Sequence, residues 1–359
     1  MTRRLLLALA PLLLLAGCPQ GGAGGAGSTG PSGGDQLNLL IFSEYIDPAL
    51  LEEFKRRTGA AVEPSYFESS EELMQKLQYA GGKSQFDVVI ASNQLIQTLG
   101  RLQLIQRLDH AKLKHLGNLA PRFKEASYDP GFAWSVPYQW GTVGLVYEKA
   151  KFAEPPGWSA LFDPARQPGS FFLIDEMRDQ LGVALKSLGH SANSTDPEQV
   201  KAAGQLLLQA KASERCKGFK AGLEGMKSVL GGNADLAVAW NGDAVKGIAE
   251  SEGRLAFVLP PEGSIAWVDC MVIPAEAPRP DLAHAFIDLL LEPEAGAKLS
   301  DFIKYATPNQ AALPHVNERD RNDPAIYPPE EVAAKLEYLV DLGDAAKLYD
   351  EVWTAVKSR

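Results

Sequence analysis

Several residue patterns typical of enzymes and metal proteins are missing from this chain of 359 residues. It has no phosphate-binding glycine loop, no His-Glu-x-x-His and no Cys-x-x-Cys. Its five histidines include no pair at i, i+4 that would indicate a metal site. The usual signals for nucleotide hydrolysis, zinc chemistry and thiol redox chemistry are therefore absent, and we expect a protein that is not an enzyme and holds no metal or cofactor.

Basic residues and cysteines are also few. Lys and Arg number 35 against 45 Asp and Glu, which gives a net charge of −10. This balance argues against nucleic acid and anionic lipid as partners, and it is compatible with a cationic ligand. Three cysteines are too few for a disulfide scaffold. Cys216 and Cys270 are equally compatible with one disulfide and with two free thiols.

The apolar run near the N-terminus is too short to span a membrane, and it has the form of an export signal. Arg3 and Arg4 precede the apolar segment Leu5–Leu15, which leads into the lipobox-like Leu15-Ala-Gly-Cys18. We predict that residues 1–18 are a lipoprotein signal peptide and lipobox, with Cys18 as the lipidation site. Residues 19–35, rich in Gly, Ser, Ala and Pro, are predicted to form a flexible tether.

After the tether, strand and helix patterns alternate along the chain. Apolar runs predict strands at Leu37–Phe42, Ala61–Phe67, Phe86–Ile90, Phe171–Ile174, Leu236–Trp240 and Val268–Ile273. Helical spacing predicts helices at Pro48–Arg57, Glu71–Gln78, Glu176–Leu188 and Asp281–Leu291. This alternation predicts an α/β fold with mostly parallel sheets. The remaining chain, about 325 residues, is too long for most single cores, so we expect two lobes, with 134–146 crossing between them.

Aromatic and acidic side chains stand where these strands end. Trp267 and Asp269 lie two residues apart in a strand-like run, so their side chains share one face. A ring beside a carboxylate suits an alkyl ammonium, because the ring covers methylenes and the acid accepts a charge-assisted hydrogen bond. The alternative is that Trp267 belongs to the core and Asp269 caps the strand. The further candidates at strand ends are Phe42, Ser43, Glu44, Tyr45, Ser92, Asn93, Glu176, Asp179 and Trp240.

Glu176 and Asp179 allow two interpretations. They lie three residues apart, so they share one face of the first turn of a helix. They either cap the helix and complement its dipole, with Asp175 as the N-cap, or flank an amine. Each charge-assisted contact to an amine would contribute about 1.5–3 kcal/mol. The sequence leaves both interpretations open.

A series of short motifs resembles one family, the periplasmic spermidine/putrescine-binding proteins of ABC importers. The resemblance covers essentially the whole chain after the tether. In order, the motifs are Phe42-Ser-Glu-Tyr45, Phe67-Glu-Ser-Ser70, Phe86-Asp-Val-Val89, Pro137-Tyr-Gln-Trp-Gly141, Thr195-Asp-Pro197, Trp240-Asn-Gly242, Trp267-Val-Asp269 and Tyr305-Ala-Thr-Pro-Asn309.

The resemblance implies a type II periplasmic-binding-protein fold, in which two α/β lobes joined by hinge strands close over a linear polyamine. It implies an N-terminal lobe of residues 36–137 plus 269–313 and a C-terminal lobe of residues 138–268 plus 314–359. The residues that match family ligand positions are Ser43, Glu44, Tyr45, Ser92, Glu176, Asp179, Trp240, Trp267, Asp269 and Tyr305, with the lengths of the two acids Glu176 and Asp179 exchanged. Phe42, Gln94 and Leu339 depart from the family, and Phe42 is kept as a ligand residue.

The resemblance also implies a monomer in the periplasm or at the cell surface, attached to the membrane only through its lipid. Such a protein delivers its polyamine to the permease subunits of an ABC importer in the inner membrane. Three alternatives stay open: a receptor for another small organic cation or solute, a polyamine sensor for a signalling partner, and an exported hydrolase that uses Glu176, Asp179 or Asp269 as acid and base.

Overall fold

The structure, a computed structural model, describes residues 36–78 and 84–358. The predicted signal peptide, Cys18 and the tether lie outside these residues. The strands in the described part are β1 (Gln36–Phe42), β2 (Ala61–Phe67), β3 (Val88–Ser92), β4 (Ser135–Glu148), β5 (Phe171–Ile174), β6 (Cys216–Lys220), β7 (Leu236–Trp240), β8 (Leu255–Val258), β9 (Ser264–Val272) and β10 (Leu336–Tyr338).

The α-helices of the same residues are α1 (Pro48–Thr58), α2 (Ser70–Gln78), α3 (Asn93–Arg101), α4 (Pro121–Lys124), α5 (Ser159–Phe162), α6 (Met177–Ser187), α7 (Pro197–Lys211), α8 (Gly222–Leu230), α9 (Asn241–Glu250), α10 (Pro280–Leu290), α11 (Pro293–Ile303), α12 (Glu318–Arg321), α13 (Glu330–Ala333) and α14 (Ala346–Ser358). Among the residues described, no helix is long and apolar enough to cross a membrane.

Helix α1 shows how local sequence fixes an element beside the first strand. The Asp47 carboxylate accepts a hydrogen bond from the Ala49 amide at 2.8 Å, and Pro48 occupies the first turn, where no amide donor is needed. Gly59 ends the helix with φ of 80°, a left-handed conformation that glycine adopts without strain. Leu50 and Phe54 are buried on the inner face, so α1 covers the sheet directly after β1.

Strands β4 and β9 connect the two halves of the sheet. The strand order is β2-β1-β3-β9-β4-β7-β5-β6, with β10 beside β9 and β8 beside β4. β4 is antiparallel to β9 from Ser135 to Thr142 and antiparallel to β7 from Val143 to Tyr147. We call the part that contains β1–β3 the N-terminal lobe and the part that contains β5–β7 the C-terminal lobe. Both lobes are α/β, and β4 and β9 are the hinge strands between them.

All six predicted strands and all four predicted helices are present, with ends shifted by up to four residues. The prediction of mostly parallel sheets is only partly right. The pairs β1–β2, β1–β3, β5–β6, β5–β7 and β9–β10 are parallel, whereas β3–β9 and every pair made by β4 are antiparallel. The hinge strands are buried along nearly their whole length, and a continuous apolar run does not encode strand direction.

Candidate functional site

A cavity lies between the lobes at the carboxyl ends of β1, β3, β5 and β7. Phe42, Ser92 and Trp240 are the last residues of β1, β3 and β7, and Glu176 comes two residues after β5. The lining residues are Phe42, Ser43, Tyr45, Glu68, Ser70, Ser92, Gln94, Glu176, Asp179, Leu223, Trp240, Asp243, Trp267, Asp269 and Tyr305. Strand ends from both lobes meet here, as the α/β pattern predicts.

Ten of the eleven side chains predicted to contact a ligand line this cavity. The exception is Glu44, which is exposed and accepts a hydrogen bond from Lys227 at 2.9 Å. Leu339, which departs from the family pattern, is buried outside the lining, and its carbonyl accepts a hydrogen bond from Asn93 at 2.7 Å. Ligand contact by the ten residues remains a prediction.

Aromatic rings form most of the apolar wall. Trp267 and Tyr305 lie edge to face with ring centroids 5.2 Å apart, and Tyr45 approaches Tyr305 at 5.4 Å. Across the cavity, the rings of Phe42 in the N-terminal lobe and Trp240 in the C-terminal lobe have centroids 5.9 Å apart. These rings offer apolar faces to an alkyl chain and electron-rich faces to a cation.

Two glycines allow this aromatic packing. A Cβ at Gly141 would lie 2.5 Å from the Trp267 ring, and one at Gly242 would lie 2.5 Å from the Tyr305 ring. Any larger residue at either position would push a ring into the cavity or out of it. The last glycine of each of the motifs Pro137–Gly141 and Trp240–Gly242 therefore leaves the space that an aromatic ring of the cavity wall occupies.

Four buried carboxylates line the cavity, those of Glu176, Asp179, Asp243 and Asp269. Burial raises the pKa of Asp269 to about 7. Burial also raises the pKa of Asp179 to about 6, although the Trp240 indole N–H donates to it at 2.7 Å and Arg178 lies nearby. The pKa of Glu176 is raised well above its ordinary value by burial and then by the neighbouring carboxylates of Glu71 and Asp179. None of these four acids forms a salt bridge with any of the described residues, although Arg178 lies near Asp179 and Glu176. A cation in the cavity can therefore pair with them directly.

The capping interpretation of Glu176 is wrong for its side chain. The N-cap of α6 is Glu176 itself rather than Asp175, and its carboxylate makes no capping hydrogen bond. Instead, Glu176 Oε2 accepts from the Ser70 amide of the N-terminal lobe at 3.1 Å. Asp175 forms an ion pair with Lys357 at 2.6 Å. Asp179 does lie in the first turn of α6, where its charge also complements the helix dipole.

Several buried polar atoms of the lining have no hydrogen-bond partner among the described residues. They are Trp267 Nε1, Tyr45 Oη, Gln94 Oε1 and Glu176 Oε1. A buried polar group without a partner costs about 1–3 kcal/mol. The cavity is therefore suited to an occupant that has both polar ends and an apolar body.

Five lining residues are not among the ligand residues predicted from the sequence: Glu68, Ser70, Gln94, Leu223 and Asp243. The sequence could have indicated Asp243, since its carboxylate comes three residues after Trp240, in the first turn of a helix. Glu68 and Ser70 lie within the motif 67–70 but follow β2, and the sequence did not predict that the end of this strand belongs to the site.

Both Cys216 and Cys270 are free thiols. The sequence is compatible with a disulfide and with two free thiols, and the structure shows two free thiols.

The sequence of the chain matches one known protein family over most of its length. The family described as bacterial extracellular solute-binding protein matches residues 49–328. The chain belongs to this family. The family is one of solute-binding proteins rather than of enzymes.

Relatives with known names share most of the length of the chain. The spermidine/putrescine-binding periplasmic protein of Salmonella typhimurium is 32% identical over 331 residues, which cover 91% of this chain and 93% of the relative. The structure of the spermidine/putrescine ABC transporter substrate-binding protein PotD from Streptococcus pneumoniae is 32% identical, with a TM-score of 0.74 over 90% of this chain and 99% of that one. The TpPotD lipoprotein of Treponema pallidum is 25% identical, with a TM-score of 0.80 over 90% and 100%. These findings confirm the predicted type II periplasmic-binding-protein fold and the resemblance to spermidine/putrescine-binding proteins.

Proposed function

We propose that this protein binds a polyamine between its lobes and delivers it to an ABC importer without chemically changing it. The observation that carries the proposal is the group of buried carboxylates of Glu176, Asp179 and Asp269, which lie in an aromatic cavity and form no salt bridge with any described residue. Buried charges in proteins are normally paired, and unpaired ones shift their pKa toward the neutral form. An ammonium group supplies the missing charge, and the names of the relatives support a polyamine as its source.

The proposed contacts divide into two kinds. Trp240, Trp267 and Tyr305 cover the methylene chain, at about 0.8 kcal/mol for each buried CH₂. Asp269 binds one ammonium, and the Glu176–Asp179 pair binds another. Phe42 and Tyr45 complete the wall from the N-terminal lobe, and Ser43 and Ser92 offer hydroxyl groups.

The lobe boundaries are part of the proposal. We propose residues 36–137 plus 269–313 for the N-terminal lobe and 138–268 plus 314–359 for the C-terminal lobe. The change of partner within β4, from β9 at Thr142 to β7 at Val143, supports a boundary in that strand. Contacts across the cleft, such as the Ser70–Glu176 hydrogen bond, would form as the lobes close over the ligand.

Membrane attachment would place the protein beside its permease. We propose that Cys18 is lipidated after cleavage of the signal peptide and that the monomeric protein remains at the membrane surface through this lipid. The lipobox-like sequence supports this proposal. The Treponema pallidum relative is itself named a lipoprotein.

The proposal is tested by calorimetric titration with putrescine, spermidine and spermine at moderate salt. We expect one-to-one binding at micromolar or lower Kd, and chromatography of the amine after incubation should show no product. Absence of heat with all three amines would refute the polyamine assignment, and product formation would favour a hydrolase.

A charge-removing variant tests the site itself. Asp269→Asn should weaken binding by at least about tenfold, since a charge-assisted hydrogen bond contributes about 1.5–3 kcal/mol. Asp344→Asn makes the same charge change at an exposed position outside the cavity and serves as the control. Equal affinity of Asp269→Asn and the wild type would remove Asp269 from the site.

A further inference from the structure

Two lysines and two acids meet beside one end of the cavity. Glu44 follows β1 in the N-terminal lobe, Lys227 belongs to α8, and Asp243 and Lys246 belong to α9. Lys227 Nζ donates to Glu44 Oε1 at 2.9 Å, and Lys246 Nζ donates to the Glu44 carbonyl oxygen at 3.2 Å. We call these four residues the rim cluster. It joins the two lobes, and its own four charges sum to zero. Lys227 Nζ also lies 3.6 Å from Glu224 Oε1 on the same helix, so one further acid stands beside the cluster.

The rim cluster adjoins the ligand cavity rather than a remote surface. Ser43 and Tyr45, the two neighbours of Glu44, both line the cavity. Leu223, one turn before Lys227 on α8, also lines it. Asp243 is itself a lining residue, and it lies one turn before Lys246 on α9. A ligand that extends past Asp269 toward this end would therefore meet the two lysines.

The backbone of Glu44 indicates that its pairing is specified by the fold. Its φ is +56°, a left-handed conformation that is uncommon for residues other than glycine. Such a conformation costs on the order of 1–3 kcal/mol and persists where surrounding groups hold it. Here Lys227 donates to the Glu44 carboxylate and Lys246 donates to its carbonyl oxygen. The two lysines of the rim cluster, which belong to the C-terminal lobe, thus hold one residue of the N-terminal lobe in place.

Charges inside the cavity differ from those at its rim. Glu176, Asp179 and Asp269 have no basic partner within salt-bridge distance in the described part of the chain. Burial raises the pKa of Asp243 to about 6, and the positive charges of Lys246 and Lys227 oppose that rise. The interior therefore attracts ammonium groups. At the rim, Lys227 pairs directly with Glu44, and Asp243 forms no salt bridge among the described residues but is affected by the charges of Lys246 and Lys227.

We propose that Lys227 and Lys246 determine specificity, because by neutralising Glu44 and Asp243 they make the cavity favour a diamine over a triamine. The proposal rests on the proposed function and deepens it. A diamine places its two ammonium groups at Asp269 and at the Glu176–Asp179 pair. A triamine must place a third ammonium toward the rim cluster, where it meets two like charges. Without one lysine, the rim cluster would carry net charge −1 and would attract that third ammonium.

The test is the ratio of spermidine affinity to putrescine affinity in the purified protein. In Lys227→Met this ratio should rise about threefold to fivefold at an ionic strength of about 0.05 M, the size expected for a partly exposed charge, and less at high salt. Lys246→Met should raise the ratio in the same direction. Lys201→Met is the matched control, since Lys201 pairs with Glu198 on α7 and its loss makes the same change in net charge.

A double variant separates pairing from general repulsion. Glu44→Gln combined with Lys227→Met restores a neutral rim cluster and should return the ratio toward the wild-type value. An unchanged ratio in both single lysine variants, or an equal rise in Lys201→Met, would overturn the inference. If the wild type binds neither amine, the proposed function fails as well. If it binds both and the lysine variants leave the ratio unchanged, only this inference fails.

Discussion

Binding of an amine should release protons near neutral pH, because burial raises the pKa of Asp269 to about 7 in the ligand-free cavity. An ammonium group beside a carboxylate favours the ionised form, so binding lowers this pKa and expels the proton. The amine then competes with protons for the same carboxylate. Affinity should therefore fall as the pH drops below about 7, and it should level off above about pH 8.

The size of this effect follows from the raised pKa values of Asp269 and Asp179. Between pH 8 and pH 5 the ionised fraction of a group with a pKa of about 7 falls about a hundredfold, which sets the loss expected from Asp269. Asp179, with a pKa of about 6, adds up to about another tenfold. At pH 7, binding should release about half a proton from Asp269 alone.

Calorimetric titration in two buffers of different ionisation enthalpy counts these protons directly. In Asp269→Asn the proton release at pH 7 should drop by the share that Asp269 contributes, and the fall in affinity toward pH 5 should become shallower. An affinity that is constant from pH 5 to pH 8, or a net uptake of protons on binding, would refute the reasoning.

A rise in pH strengthens amine binding through Asp269, but the same carboxylate makes the ligand-free protein less stable as the pH rises. Because its pKa is higher in the folded state than in the unfolded chain, the stability it contributes is fully present below the unfolded pKa, about 3.9, and is lost as the pH rises through about 7. For Asp269 this amounts to about 2.5 kcal/mol of unfolding free energy lost between pH 5 and pH 8. Urea denaturation of the wild type and of Asp269→Asn at both pH values isolates this contribution.

Three further outcomes are expected. Gly242→Ala should weaken amine binding about tenfold or more, since the new Cβ would lie 2.5 Å from the Tyr305 ring, whereas Gly117→Ala, with open space around it, should bind normally. Glu176→Gln should weaken binding while leaving the melting temperature at or above that of the wild type, because its carboxylate makes no capping hydrogen bond; a clear drop in melting temperature would contradict this. Cys18→Ala should move the protein from the membrane fraction to the soluble fraction on cell fractionation, and retention in the membrane would refute the lipid anchor.

The positions in the cavity wall that the sequence predicted correctly are those set by local pattern. Trp267 and Asp269 share a face because strand periodicity places residues two apart on the same side, and both line the cavity. Phe42, Ser92 and Trp240 were placed correctly because strands of an α/β sheet deliver their last residues to one edge. Both inferences need only the positions of the strands, which apolar runs mark well.

The parts that the sequence did not predict depend on contacts between distant segments. Strand direction in β4 and β9 follows from how the hinge strands pass between the lobes, and each is buried on both faces in a way that parallel and antiparallel strands share. The Glu176 carboxylate has the position of a helix cap, yet it bonds to Ser70, 106 residues earlier in the chain. No local pattern distinguishes a carboxylate that caps its own helix from one that reaches across a cleft.

Glu44 shows most clearly that a sequence motif does not determine which partner a side chain has. By position it is the acid next to Tyr45 at the end of the first strand, which matches the family pattern for a ligand residue. The structure pairs it with Lys227, 183 residues later, and turns its backbone into the left-handed region. A residue can thus keep its place in a motif while a cation from the other lobe takes up its charge. If the proposed specificity of the rim cluster is correct, the choice between amines depends less on the acids that match the family than on the lysines that meet one of them.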